Sequence, residues 1–214
     1  MKTQWNPSQF RDFSRFEHDA CGIVASIEKK KIPTRENIFH CINGLVTMNH
    51  RAGFINGEGD GVGVHIDIPR VLWKEKLTEA GADVSAADNE NFVVGHVFIT
   101  RSEQAKAIQD ELEAKLTQQG MKLIFSSVDV TDSGALGPIA IQENPVFWQF
   151  ACLANVTGQD LSSKLFNMIV DFEQNDQVHV ASLSQYHAVY KVMGLETSCR
   201  STIMTWQVQL LHPL

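Results

Sequence analysis

Glu17-His18-Asp19-Ala20-Cys21-Gly22-Ile23-Val24-Ala25 is the stretch on which the reading of this chain turns. A small residue precedes the thiol of Cys21, a glycine follows it, and an apolar run of strand character begins. Those are the neighbours a cysteine needs if the chain is cut just before it and Cys21 becomes a new amino terminus. Such a residue carries a thiol and a free α-amine on one Cα, so nucleophile and base arrive together. The competing reading of Cys21 is a small buried hydrophobe at the start of a strand, a common fate of free cysteine.

Upstream of this stretch, residues 1–20 are polar and charged, and the aromatics Trp5, Phe10, Phe13 and Phe16 show no period, so they read as a leader. Downstream, Cys21 to Glu28 reads as a strand that ends in the Lys29-Lys30-Lys31 turn. Pro33 and Thr34 then open a helix, with Thr34 as N-cap and Ile38, Ile42 and Leu45 on its apolar face. A glycine-dense loop, Gly53 to Gly63, leads into an alternating strand at Val64–Ile68, and Pro69 starts a helix through Leu77. Gly81 to Asn91 reads as a polar surface loop. Phe92–Ile99, Ser102–Gln119 and Lys122–Val130 read as strand, helix and strand, with Gly120 as the helix stop. Asn144-Pro145 has the form of an N-cap and first helical proline, while Val146–Leu153 is so uniformly apolar that helix and strand are hard to separate. Leu161–Gln174 is an amphipathic helix, and Val178–Met193 holds two short strands.

The 214 residues, 43% of them hydrophobic, are enough to bury a real core. The net charge of −7 and the absence of a Lys/Arg stripe argue against nucleic-acid binding. The start of the chain has no hydrophobic core of a signal peptide, and no apolar run approaches the ~20 residues that span a bilayer, so the expected location is cytoplasmic, with no membrane partner. The four cysteines, Cys21, Cys41, Cys152 and Cys199, form no C-x-x-C pair, and His40, Cys41 and His50 do not converge, so no metal site is expected.

Three segments taken together resemble the amino-terminal class II glutamine amidotransferase domain of glutamate synthase large subunits, an N-terminal-nucleophile hydrolase. They are Asp19-Ala20-Cys21-Gly22-Ile23, then Met48-Asn49-His50-Arg51-Ala52-Gly53, then Gly59-Asp60-Gly61-Val62-Gly63 with Ile68-Pro69-x-x-Leu72-Trp73. The family's second motif ends Arg-Gly-Ala, and the last two residues are exchanged here. The resemblance covers about Glu17 to Gly194. It implies an α+β fold, an incomplete four-layer α/β/β/α sandwich of antiparallel sheets. It divides the chain into a leader (1–20), a partial amidotransferase domain (21–194) and a divergent tail (195–214).

The resemblance also implies a mechanism. The Cys21 thiolate attacks the Ala20 carbonyl, the leader departs, and the freed amine, with a pKa of about 7.7–8.0, takes the thiol proton. The thiolate then attacks the side-chain amide of glutamine, a γ-glutamyl thioester forms, ammonia leaves and water releases glutamate. Gly22, His50, Arg51 and Asp60 are the candidate supporting residues. For His50 and Arg51 the alternative is a brace at the end of a helix, where cations suit the dipole. For Asp60 it is a solvated turn acid. The glycine loop has neither the Lys and Ser/Thr of a phosphate loop nor the acid spacing of a calcium loop.

No cofactor is expected in this chain. The resembled enzyme implies FMN, an iron–sulfur cluster and NAD(P)H or ferredoxin elsewhere, with the rest of the synthase polypeptide and a small subunit as partners. The family's Arg-Phe-Ser-Thr-Asn segment, which binds the glutamine carboxylate, and its His-Asn-Gly segment, which supplies the oxyanion hole, are not among these 214 residues. The expectation is therefore a truncated domain, inactive by itself, with a tail such as a frame-shift leaves. A non-catalytic amidotransferase-like module, or an amidotransferase serving another acceptor, is the alternative.

Overall fold

The computed structural model describes residues 22–30, 32, 34–51, 53–55, 58–59, 61–128, 134 and 136–194. The expected leader, Cys21 itself, Asp60 and the tail lie outside them. The fold is α+β, built of helices and antiparallel sheets.

Its centre is a four-stranded antiparallel sheet of β4 (Phe92–Ile99), β5 (Met121–Val128), β6 (Val146–Ala154) and β7 (Val178–Ser184), in the order β5-β6-β4-β7. β4 and β6 are the inner strands and bury side chains on both faces. That double burial is why Val146–Leu153 shows no alternation in the sequence; its neighbours settle it as a strand. The even-numbered residues of β6, Trp148, Phe150 and Cys152, face helices α3 (Ala105–Gln118) and α5 (Gly158–Phe172), which contribute Ile108, Leu116 and Leu165. α3 stops at Gly120, whose φ of 73° is the left-handed conformation that suits glycine. On this same face Gly95 lies under Phe150, and a Cβ there would come within 2.1 Å of the ring.

The opposite face packs against helix α2 (Arg70–Glu79). Trp73 and Leu77 are fully buried there, and the Trp73 indole meets the rings of Phe92 and Phe125 edge-on. Arg70 fastens this region, donating to the carbonyls of Ala87, Asn89 and Gln185. Beside α2 lies a ribbon of β3 (Val62–Asp67) and β8 (His187–Val192). Directly paired residues share a face. Val64 with Tyr190 and Ile66 with Ala188 make the apolar face, while His65, Asp67 and His187 stand on the other. Ile42 of α1 (Arg35–Thr47) packs on Val64. Thr34 caps α1 as expected, its Oγ1 accepting from the Asn37 amide at 3.3 Å.

Three expectations are corrected. Residues 22–28 alternate half-buried and exposed but pair with no strand among the described residues, and their inward side chains rest on α1. Val24 fills the space where a Gly44 Cβ would stand, and Asn37 Nδ2 donates to the Ser26 carbonyl at 3.1 Å. Gly81–Asn91 is not wholly a surface loop. A 3₁₀ turn at Val84–Asp88, capped by Asp83, buries Ala86 and Ala87 next to Trp73. Asn144-Pro145 does not open a helix. Helix α4 (Pro138–Glu143) precedes it, with proline at its start, and Asn144 ends it. Among the described residues no helix is long and apolar enough to cross a membrane.

Candidate functional site

Gly22 follows the candidate nucleophile directly, and its place therefore locates the site. A Cβ on Gly22 would stand 3.1 Å from both Sδ and Cε of Met48. Met48 is the C-cap of α1, and the Asn49–Arg51 3₁₀ turn follows it, with the Arg51 amide donating to the Met48 carbonyl at 2.8 Å. Gly22 of the first sequence motif thus lies against Met48 of the second at the carboxyl end of α1. His50 and Arg51 are both exposed on that turn. Their position is the one a helix-end brace occupies.

A short strand pair leads into the third motif. β1 (Phe54–Ile55) and β2 (Glu58–Gly59) pair antiparallel, Phe54 with Gly59 and Ile55 with Glu58. Asn56-Gly57 between them is a strong sequence signal for a two-residue hairpin turn. The hairpin is latched by a residue the sequence gave no reason to single out. The Glu58 carboxylate accepts from the Ile139 amide at 2.7 Å and the Ala140 amide at 3.5 Å, at the start of α4. A Cβ on Gly137 would come within 2.1 Å of Glu58 Oε2, so the carboxylate reaches those amides only past a glycine. No local pattern links residues this far apart; only the acid among glycines was visible.

Beyond the hairpin, β3 runs along a cleft of about 790 Å³ lined by Gly61, Gly63, His65, Asn144, His179 and Lys191. Gly63 passes close to β8, where a Cβ would meet the Tyr190 carbonyl oxygen at 2.8 Å. On the cleft wall Lys191 Nζ contacts His179 Nε2 at 3.1 Å, and His179 Nδ1 lies 3.1 Å from Glu173. Deeper in the core, His96 is fully buried between the rings of Phe147 and Tyr190. Its Nδ1 lies 2.9 Å from the Val189 carbonyl and Nε2 lies 2.7 Å from the Gln149 amide nitrogen. This is the neutral tautomer, with Nδ1–H donating and Nε2 accepting, and burial pushes the pKa down to about 4. His96 is thus a polar pin between the sheet and the ribbon.

Cys152 is buried in the sheet, and burial pushes its thiol up to about 12, which fits a core role. Among the described residues no group of three or more histidine, cysteine or carboxylate side chains is gathered to hold a metal ion.

Residues 21–203 match the family of class-II glutamine amidotransferases. Over 187 residues the chain is 26% identical to the glutamate synthase [NADPH] large chain of Bacillus subtilis, covering 82% of this chain and 12% of that protein. Over 191 residues it is 29% identical to ferredoxin-dependent glutamate synthase 2 of Synechocystis, covering 83% and 12%. Glutamate synthase [NADH] of Saccharomyces cerevisiae is 27% identical over 143 residues, covering 63% and 6%. The chain therefore spans about an eighth or less of the length of these relatives.

Proposed function

The chain belongs to the class II glutamine amidotransferases, and on that premise we propose that it is the glutaminase portion of a glutamate synthase with Cys21 as nucleophile. The observation that carries this reading is the seating of Gly22 on Met48 at the end of α1. It sets the residue after Cys21 beside the His50-Arg51 turn, and the family match itself begins at Cys21.

The chemistry follows from the amino terminus. Attack of the Cys21 thiolate on the Ala20 carbonyl, followed by water, releases the leader 1–20 and frees the Cys21 amine. That amine takes the thiol proton, and the thiolate adds to Cδ of glutamine. Ammonia departs with a proton returned by the amine, and water cleaves the γ-glutamyl thioester to glutamate. Gly22, His50, Arg51 and Asp60 are the supporting residues on this reading, with Gly22 packed on Met48. For the fold, the finer reading is the four-layer sandwich, supported by α3 and α5 on one side of the four-stranded sheet and α1 on the ribbon.

The 214 residues assayed by themselves release little or no ammonia on this reading. They hold neither the carboxylate-binding nor the oxyanion segment of the family, and loss of an oxyanion donor alone costs about 10²–10³ in rate. The rest of a synthase polypeptide, with or without a small subunit, is the partner that uses the ammonia. The relatives' names carry NADPH, NADH and ferredoxin. The residues described here do not fit a flavin-linked iron–sulfur centre, since no cluster of cysteines is gathered, and no step runs through one.

Intact mass spectrometry combined with Cys21→Ala tests the proposal. Loss of residues 1–20 in the wild type and their retention in the variant support it. Retention of the leader in both, with no glutamine-protected alkylation of Cys21 by a glutamine-shaped chloroketone, refutes it.

A further inference from the structure

The polar face of the β3–β8 ribbon carries a pair of imidazoles that the amidotransferase reading does not use. His65 and His187 lie on the same face by register, and their rings meet edge-on with centroids 4.4 Å apart. Asp67 is the direct cross-strand partner of His187, which puts a carboxylate on this face at about 5 Å between Cβ atoms. His65 is exposed and His187 half-buried, so the pair is open to solvent while one ring is held. The Ser184 hydroxyl engages His187 Nδ1 at 3.2 Å, which orients that ring and leaves Nε2 as its ligand nitrogen.

We propose that His65 and His187 form a surface site for a single divalent late transition-metal ion, with Asp67 supplying the nearby negative charge. Two imidazoles suit nickel, copper or zinc over magnesium or calcium. Among the described residues no third ligand is tightly gathered there, so solvent completes the coordination and the site is a weak one. The proposal does not depend on Cys21 or on glutaminase activity.

Titration of the 214-residue chain with nickel chloride, followed by calorimetry, tests it. The expected result is one saturable site that loses at least about tenfold in affinity in each of His65→Asn and His187→Asn, as removal of one of two ligands requires. Copper(II) bound at the site should show two-nitrogen splitting in its electron paramagnetic resonance spectrum, reduced to one nitrogen in His65→Asn. His65 is exposed, so its variant is decisive even if His187→Asn fails to fold. No saturable binding, or binding of wild-type strength in His65→Asn, overturns the proposal.

Discussion

Replacing His96 with asparagine should flatten the acid limb of the stability curve. In the wild type the imidazole is fully buried and its pKa is lowered from 6.5 to about 4, with burial as the main cause. A depressed folded pKa means that the unfolded chain binds the extra proton first. The contribution to stability is therefore complete above pH 6.5 and is lost as pH falls towards 4. Linkage over that interval gives a loss approaching about 3 kcal/mol between pH 4.5 and pH 4, at 1.36 kcal/mol per pKa unit. Asparagine keeps a donor near the Val189 carbonyl but does not titrate. It gives up the ring contacts with Phe147 and Tyr190, so it starts from lower stability at pH 7. Urea unfolding at half-unit steps from pH 7.5 to 4.5 should show the two curves converging by about 2–3 kcal/mol. Carboxylate titration affects both proteins alike and cancels in the difference. Curves that stay parallel over this range would refute the claim that His96 is held neutral by burial.

Gly95→Ala should destabilise the fold by about 1–3 kcal/mol, because its Cβ would lie 2.1 Å from a fully buried Phe150 ring; urea melts measure this. Glu58→Ala should cost about 1 kcal/mol, as loss of a helix cap does, and should speed hydrogen exchange at the Ile139 amide. Gly137→Ala should be destabilising beside Glu58 and nearly neutral in the Glu58→Ala background. A double-mutant cycle with no coupling would dissolve the latch. Cys152, with its thiol pushed up to about 12, should resist Ellman's reagent at pH 8 in the native state while half-buried Cys41 reacts, as peptide mapping of the labelled protein would show.

Most of the helices were legible because their cues are local; short α4 was not. Thr34 before an apolar stripe and Gly120 after a polar helix mark ends that chemistry dictates over a few residues. β4 and β6 are both covered on both faces and lose the alternation that identifies a strand; Val-rich β4 between polar flanks still read as one, while β6 did not. The 22–28 segment misled in the opposite way. It alternates as a strand does, yet α1 takes its inward side chains and no strand among the described residues pairs with it. Asn144-Pro145 offered a helix start, but the helix lies before it, at Pro138–Glu143, and the chain goes from Pro145 directly into β6 at Val146.

By itself the sequence determined the family-bearing motifs, the candidate nucleophile Cys21, the order of most elements and the exclusion of a long apolar span, because each is written in neighbouring residues. Only the tertiary structure decided which side chains meet. It set Gly22 on Met48, joined the Glu58 carboxylate to the amides of α4, pinned His96 between Val189 and Gln149, and brought His65 to His187. Those contacts cross many residues of chain, and their geometry depends on strand register and on bulges such as the one between His96 and Val97. Register is fixed by the packing of whole faces, which no short run of sequence contains.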